Sequence, residues 1–313
     1  MLLLLALAAC TPPGGDDSAQ DTAPSVCWGD LADGESVTLA TGFDAGTEGI
    51  SFVDGHLLVA VPTGVVEIGP DGQVGEPTPL DHALGLAPAE GGVLVADPGE
   101  FTLDGSGEDG HVRYVGLSSG YSADLAAGMP NPNFVTATPW GGILVSDDTG
   151  DTIFAVDYSG GVGTVRPWVD TVPSPNGMAF SPDGSVLYVV STFTPDPPVW
   201  RVPVGPDGAP GTPEPIVTLD TGAAPDGLAV DADGGLWVAA NLAGEIVRVD
   251  PTTGSKTTFA TDLTTPASLA FGEGDGFDPC SIYATSLYGD TVTRTAAGVT
   301  GLPMLKAAAP PDP

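Results

Sequence analysis

Apolar residues in this chain recur at alternating positions in short runs, and glycine-rich turns separate the runs. The first set is GISFV, the turn Asp54-Gly55, HLLVAV and GVVEIG. Comparable sets follow: GLAPA, VLVAD and HVRYVGL; then FVTATP, ILVSD and TIFAVD; then GMAFSPDGSVLYVVS and VWRVPV. A fifth holds GLAVDADGGLWVAAN and EIVRVD, and a sixth holds SLAFG, SIYATS and TVTRT. Their first strands start near residues 49, 85, 134, 177, 227 and 268. Steps of about 40–50 residues, each with room for about four strands, are the period of a propeller blade. No long stretch has helical periodicity. The pattern predicts an all-β fold, a six-bladed β-propeller with about four antiparallel strands per blade. The segment Ser36-Val37-Thr38-Leu39-Ala40 is available to complete the sixth blade and close the ring.

Composition fits one large all-β domain: 313 residues, 45 glycines, 32 prolines and 42% hydrophobic residues. Its predicted span is 31–305, with a disordered tail at 306–313. The net charge of -34, from 41 acids against 7 bases, leaves no basic face for nucleic acid or an anionic membrane surface. Met1–Ala9 is an apolar run, and Leu7-Ala8-Ala9-Cys10 resembles a bacterial lipobox. The expectation is a signal peptide over 1–10, a lipidated Cys10, a disordered tether over 11–30 and an exported protein held to a membrane only by that lipid. Cys27 and Cys280 are then an even pair outside the cytoplasm, which predicts a disulfide across the ring seam. A monomer is expected.

Chemistry enters at the residue that leads each first strand. The six positions are Glu48, Leu84, Asn133, Asn176, Asp226 and Ala267, and four of them carry oxygen donors. Taken singly, Asn-Gly and Asp-Gly are turn dipeptides. In a propeller, equivalent positions converge on the channel mouth, where Glu48, Asn133, Asn176 and Asp226 would surround one divalent cation. An all-oxygen set favours Ca²⁺ over Mn²⁺ or Zn²⁺, since neither His nor Cys stands at these positions. The Asp-Gly pairs at Asp54, Asp71, Asp183, Asp207 and Asp233 lie between strands and read as turns. His82, two residues before Leu84, is a candidate auxiliary base near the mouth, whereas His56 and His111 are not. There is no GxSxG elbow. The acidic loop DGSGEDG at 104–110 reads as a solvated excursion of the second blade.

Three segments resemble the senescence marker protein/gluconolactonase family, which includes regucalcin. They are TEGISFVDGHLLVA (47–60), SPNGMAFSPDGSVLYVV (174–190) and APDGLAVDADGGLWVAANLAGEIVRVDP (224–251). PASLAFGEGDGFDPCSIYATS (266–286) is similar to the closing blade of that family. The resemblance implies a six-bladed propeller with a divalent cation at the channel mouth. It implies hydrolysis of a small-molecule lactone or related ester, with Asp226 both metal ligand and catalytic base. Two positions depart from the family pattern. Phe134 stands where an Asp is usual, and Asn131 stands where a basic residue is common. Both losses remove side chains that bind sugar-like substrates, so Phe134 and Leu84 are expected to give an apolar pocket. The alternative is a non-catalytic, metal-stabilised surface propeller that binds a protein or glycan. A strictosidine-synthase-like propeller ranks last, because it does not call for the four-oxygen register.

Overall fold

The computed structural model describes residues 26–310 except 101, 103–104, 118–120 and 159–162. The lipobox with Cys10, most of the predicted tether, Asp104 of the acidic loop and residues 311–313 lie outside the described residues. The chain opens with β1 (Ser36–Thr41). The first blade holds β2 (Ile50–Val53), β3 (His56–Val61), β4 (Gly64–Ile68) and β5 (Thr78–Pro79). The second holds β6 (Leu86–Ala89), β7 (Gly92–Asp97), β8 (Gly110–Gly116) and β9 (Ser122–Met129). The third holds β10 (Pro132–Ala137), β11 (Ile143–Asp147), β12 (Ile153–Asp157) and β13 (Thr164–Val169). The fourth holds β14 (Pro175–Phe180), β15 (Val186–Ser191), β16 (Pro198–Pro203) and β17 (Glu214–Thr218). The fifth holds β18 (Pro225–Val230), β19 (Leu236–Ala240), β20 (Glu245–Val249) and β21 (Lys256–Ala260). The sixth holds β22 (Pro266–Phe271), β23 (Ser281–Ser286) and β24 (Thr291–Ala296), with β1 as its outermost strand. This is the predicted six-bladed propeller of antiparallel four-stranded sheets, closed by the predicted N-terminal segment.

The core is a set of six clusters, one in each interface between neighbouring blades. Inner strands serve two interfaces at once. Along β3, Leu57 and Val59 pack toward the sixth blade, while Leu58 and Ala60 pack toward the second. Both faces of each blade are therefore covered, and the second strands read as near-continuous apolar runs. β7, β11, β19 and β23 are buried along their whole length. The fourth strands lie at the solvent edge, and β17 and β21 are exposed over much of theirs.

The ring seam is locked at several points. β1 pairs with β24, and Cys27 forms a disulfide with Cys280. The Trp28 amide donates to Asp278 (3.2 Å), and Arg294 stacks on the Trp28 ring while pairing with Asp30. Residues 27–30, predicted as tether, thus belong to the folded unit. Of the predicted tail, residues 306–310 are described, and they hold a packed segment. After Gly301 bridges Asp231 in the fifth blade, the chain reaches the second, where buried Ala307 bridges Ala89 and donates to the Pro88 carbonyl (3.0 Å). That strap was not legible because its anchoring is mostly backbone hydrogen bonding, which no side-chain pattern announces.

The disulfide spans 253 residues of sequence and restrains the unfolded chain accordingly. The double variant Cys27→Ser/Cys280→Ser should lose about 2–4 kcal/mol in urea unfolding. An unchanged midpoint would show that strand pairing alone holds the seam.

Candidate metal centre at the channel mouth

The leading residues are aimed by one local device repeated in every blade. In the third blade Pro132 pairs with Asp147 and Val135 with Val145, so Asn133 and Phe134 together face Ser146. The same bulge sets Asn176 and Gly177 against one residue, as it does Asp226 with Gly227 and Ala267 with Ser268. In the first blade Ala60 accepts from the Glu48 amide and donates to Gly49, and Ala96 does the same for Leu84 and Gly85 in the second. Such a bulge takes a residue out of the ladder and redirects its side chain.

The glycines that follow are required by crowding rather than by turns. A Cβ on Gly49 would lie 2.2 Å from the Leu84 carbonyl oxygen, and one on Gly177 would lie 2.3 Å from that of Asp226. Gly85 and Gly227 approach Asn133 and Ala267 in the same way. By contrast, Asp71, Asp183 and Asp207 do cap turn amides two residues on, as the sequence predicts. Ser174, Ala224 and Thr265, each preceding a leading proline, hold φ of 49°, 46° and 39°. Their carbonyls accept from Thr192, Asn241 and Leu287, the residues that follow the second strands of the same blades. This left-handed backbone, uncommon outside glycine and costing about 1–3 kcal/mol per residue, is concentrated at the mouth.

Glu48, Asn133, Asn176 and Asp226 come together with two residues absent from the sequence-derived set, Asp148 and Asn241. Asn133 Nδ2 donates to Asp148 Oδ2 (3.1 Å), and Asn241 Nδ2 donates to Asp226 Oδ2 (3.3 Å). Burial pushes the Glu48 carboxyl well above its usual range, and the nearby Asp226 and Asp148 charges add to it. Burial and the Asp148 charge raise Asp226 to about 8, with contacts from Asn241 and Asn176 opposing. Burial, then Asp147, raises Asp148 to about 7. All seven Lys and Arg are paired with carboxylates outside this group.

Three oxygens of the group, Glu48 Oε2, Asp148 Oδ1 and Asn176 Oδ1, are buried without a hydrogen-bond partner. Orphaned buried acceptors around a shared centre fit a hard cation, which supplies the missing positive charge. Among the described residues no three His, Cys, Asp or Glu side chains lie close enough to hold a metal by themselves. The donor set therefore depends on its amide oxygens.

A cavity of about 580 Å³ opens beside the group, lined by Glu48, Asn133, His82 and Leu84 among others. His82 is exposed, with Nδ1 3.9 Å from Asp97 Oδ1. Phe134, predicted to line the pocket, does not. The bulge turns it into the core between the third and fourth blades, where it packs with Leu144, Ile153 and Met178. Asp148 and Asn241 follow β11 and β19 directly. The signal for them is a second repeat register, the residue after each second strand: Pro62, Pro98, Asp148, Thr192, Asn241 and Leu287.

The family described as SMP-30/Gluconolactonase/LRE-like region matches residues 128–286. The 6-deoxy-6-sulfogluconolactonase of Pseudomonas putida is 28% identical over 202 residues, 63% of this chain and 66% of that protein. Pentonolactonase XacC of Haloferax volcanii is 34% identical over 164 residues, 50% of this chain and 54% of that protein. The chain thus spans about half to two thirds of the length of these curated relatives. A calcium-binding protein, regucalcin, from Agrobacterium tumefaciens shares the fold with a TM-score of 0.68 at 19% identity, over 89% of this chain and 99% of that one. With six closed blades and a match across half its length, the chain belongs to the SMP-30/gluconolactonase/LRE-like family.

Proposed function

We propose that the protein is a cation-dependent hydrolase that opens a lactone or related ester at the channel mouth. One observation carries the reading: the carboxyl groups of Glu48, Asp148 and Asp226 and the amides of Asn133, Asn176 and Asn241 are grouped without a Lys or Arg partner, and three of their oxygens are buried without a hydrogen bond, beside a cavity able to hold a small molecule. Relatives named as lactonases support the reaction class.

Glu48, Asn133, Asn176 and Asp226 are the residues that would hold the cation, with Asp148 a third carboxylate at its edge. Bound there, a divalent cation supplies Lewis-acid polarisation of an ester carbonyl and acidifies water. Asn133 commits its nitrogen to Asp148, which leaves its oxygen as the donor. Asn241 donates to one oxygen of Asp226 and so fixes the plane of that carboxylate. Thus oriented and buried, Asp226 is the group placed to take a proton from water attacking the lactone. Asp148 and Asp226 are buried, so solvent screens their charges little and they act strongly on a bound group. We also propose that the protein is exported and tethered through Cys10; the Cys27–Cys280 disulfide is consistent with the export alone.

Asp226→Asn should lower kcat for lactones by about 10²–10⁴-fold while circular dichroism stays that of the wild type. A cation-induced melting shift with no turnover on any lactone or aryl ester would instead favour the non-catalytic binding propeller. Asp148→Asn should weaken Ca²⁺ binding in calorimetry. Unchanged affinity would remove Asp148 from the site.

A carboxyl whose folded-state pKa exceeds its unfolded value holds its proton more tightly when folded. Stability linked to Asp148 and Asp226 is therefore present at low pH and lost as pH rises from the ordinary 3.8 through about 7 and about 8. Chelator-treated protein should melt progressively lower across that window, and saturating Ca²⁺ should restore the loss. A flat profile in chelator would contradict the account.

A further inference from the structure

The mouth is divided into two chemical halves, and the division bears on what is bound. In the third, fourth and fifth blades the leading residues are Asn133, Asn176 and Asp226, and the residues after the second strands are Asp148, Thr192 and Asn241. In the sixth, first and second blades the same two registers hold Ala267 and Leu287, Glu48 and Pro62, and Leu84 and Pro98. Only Glu48 is polar in that half. The cavity of about 580 Å³ lies over the apolar half, with Glu48 of the first blade in its lining and Asn133 of the neighbouring third blade at its edge.

Its lining includes Val61, Pro62, Leu84, Pro98, Leu287 and Tyr288, with Phe193 facing them from the fourth blade. Among the described residues no Lys or Arg lines it and Glu48 is the only carboxylate that does; Thr47, His82 and Asn133 are the other polar side chains there. Phe193 and Tyr288 are 64% and 75% exposed, and both border the same cavity, so they form a patch rather than scattered apolar residues. Their backbones are nonetheless anchored: the Phe193 amide donates to Ser174 Oγ (2.8 Å) and the Tyr288 amide to Thr265 Oγ1 (2.9 Å). Ser174 also donates from Oγ to the Asp148 carbonyl (2.7 Å), so one aromatic is tied to the polar half. Two aromatics on anchored backbone beside an apolar cavity form a surface that gains by covering a hydrocarbon group.

We propose that the preferred substrate is an amphiphilic lactone or ester, whose carbonyl end meets the polar half and whose alkyl or aryl substituent lies over the sixth, first and second blades. This rests on the hydrolase reading for the carbonyl end and goes beyond it for the rest of the molecule. A polyhydroxylated sugar lactone is disfavoured, because the apolar half offers its hydroxyls few partners and strips them of water.

The test uses γ-lactones with alkyl tails from none to octyl, the matching non-hydrolysable γ-lactams, and glucono-1,5-lactone, all with the full chain in saturating Ca²⁺. Lactone kcat/KM should rise about two- to fourfold per methylene until the cavity is filled, mainly through KM. Lactam affinity by calorimetry should rise in parallel, and glucono-1,5-lactone should be the poorest substrate. Phe193→Ser and Tyr288→Ser, both at exposed positions, should each raise KM for the octyl lactone severalfold without lowering Tm. Lactam affinity independent of tail length, or preference for glucono-1,5-lactone, would overturn the proposal. Tail-dependent lactam binding with no hydrolysis of any lactone would uphold it and sink the hydrolase reading alone.

Discussion

Six sheets packed around one axis leave almost no room where their innermost strands begin, and the chemistry of the mouth follows from that crowding. Gly49, Gly85, Gly177 and Gly227 each lie so close to the leading residue of the next blade that a Cβ would collide with backbone. The bulge that creates this close contact also frees the leading side chain from the strand ladder. Packing and function are therefore not separable here. The residue that closes the ring of blades is adjacent in sequence to the residue that faces its centre.

Crowding brings the carboxylates together, and electrostatics then limits what the site can be. Glu48, Asp148 and Asp226 cannot all be ionised next to one another in a dry place without a positive charge. Every Lys and Arg in the chain is engaged elsewhere, at the seam, on the blade edges or against the strap. Two states satisfy the group: carboxyls held protonated by one another's presence, or ionised carboxylates around a cation. The buried oxygens left without a hydrogen-bond donor favour the second. The same limits apply across the mouth. Its polar half can bind charge, while its apolar half, formed by the sixth, first and second blades, contributes Glu48 to the group and otherwise mainly excludes water.

Much of this was legible in the sequence because repetition is legible. The first and second strands of each blade are apolar runs, buried on both sides, and stand out plainly. The leading Glu, Asn, Asn and Asp were found by placing those runs in register. Other parts of the chain carry weaker patterns. β5, Thr78–Pro79, and β17, Glu214–Thr218, sit at the solvent edge, where little hydrophobic selection acts on them. The strap ending at Ala307 is held by backbone groups. Phe134 was misplaced because its position in the register says where its backbone lies and not which way a bulge turns it. Asp148 and Asn241 belong to a second register, separate from that of the leading residues. The residue after each second strand forms an equally regular set, and it supplies two of the six polar side chains of the group.

The most direct measurement is a crystal structure of the chain with Ca²⁺, using anomalous scattering to locate the ion. The account predicts a single peak about 2.3–2.6 Å from oxygens of Glu48, Asn133, Asn176 and Asp226. Density without a cation there, with the three carboxyls hydrogen-bonded to one another at saturating Ca²⁺, would contradict it.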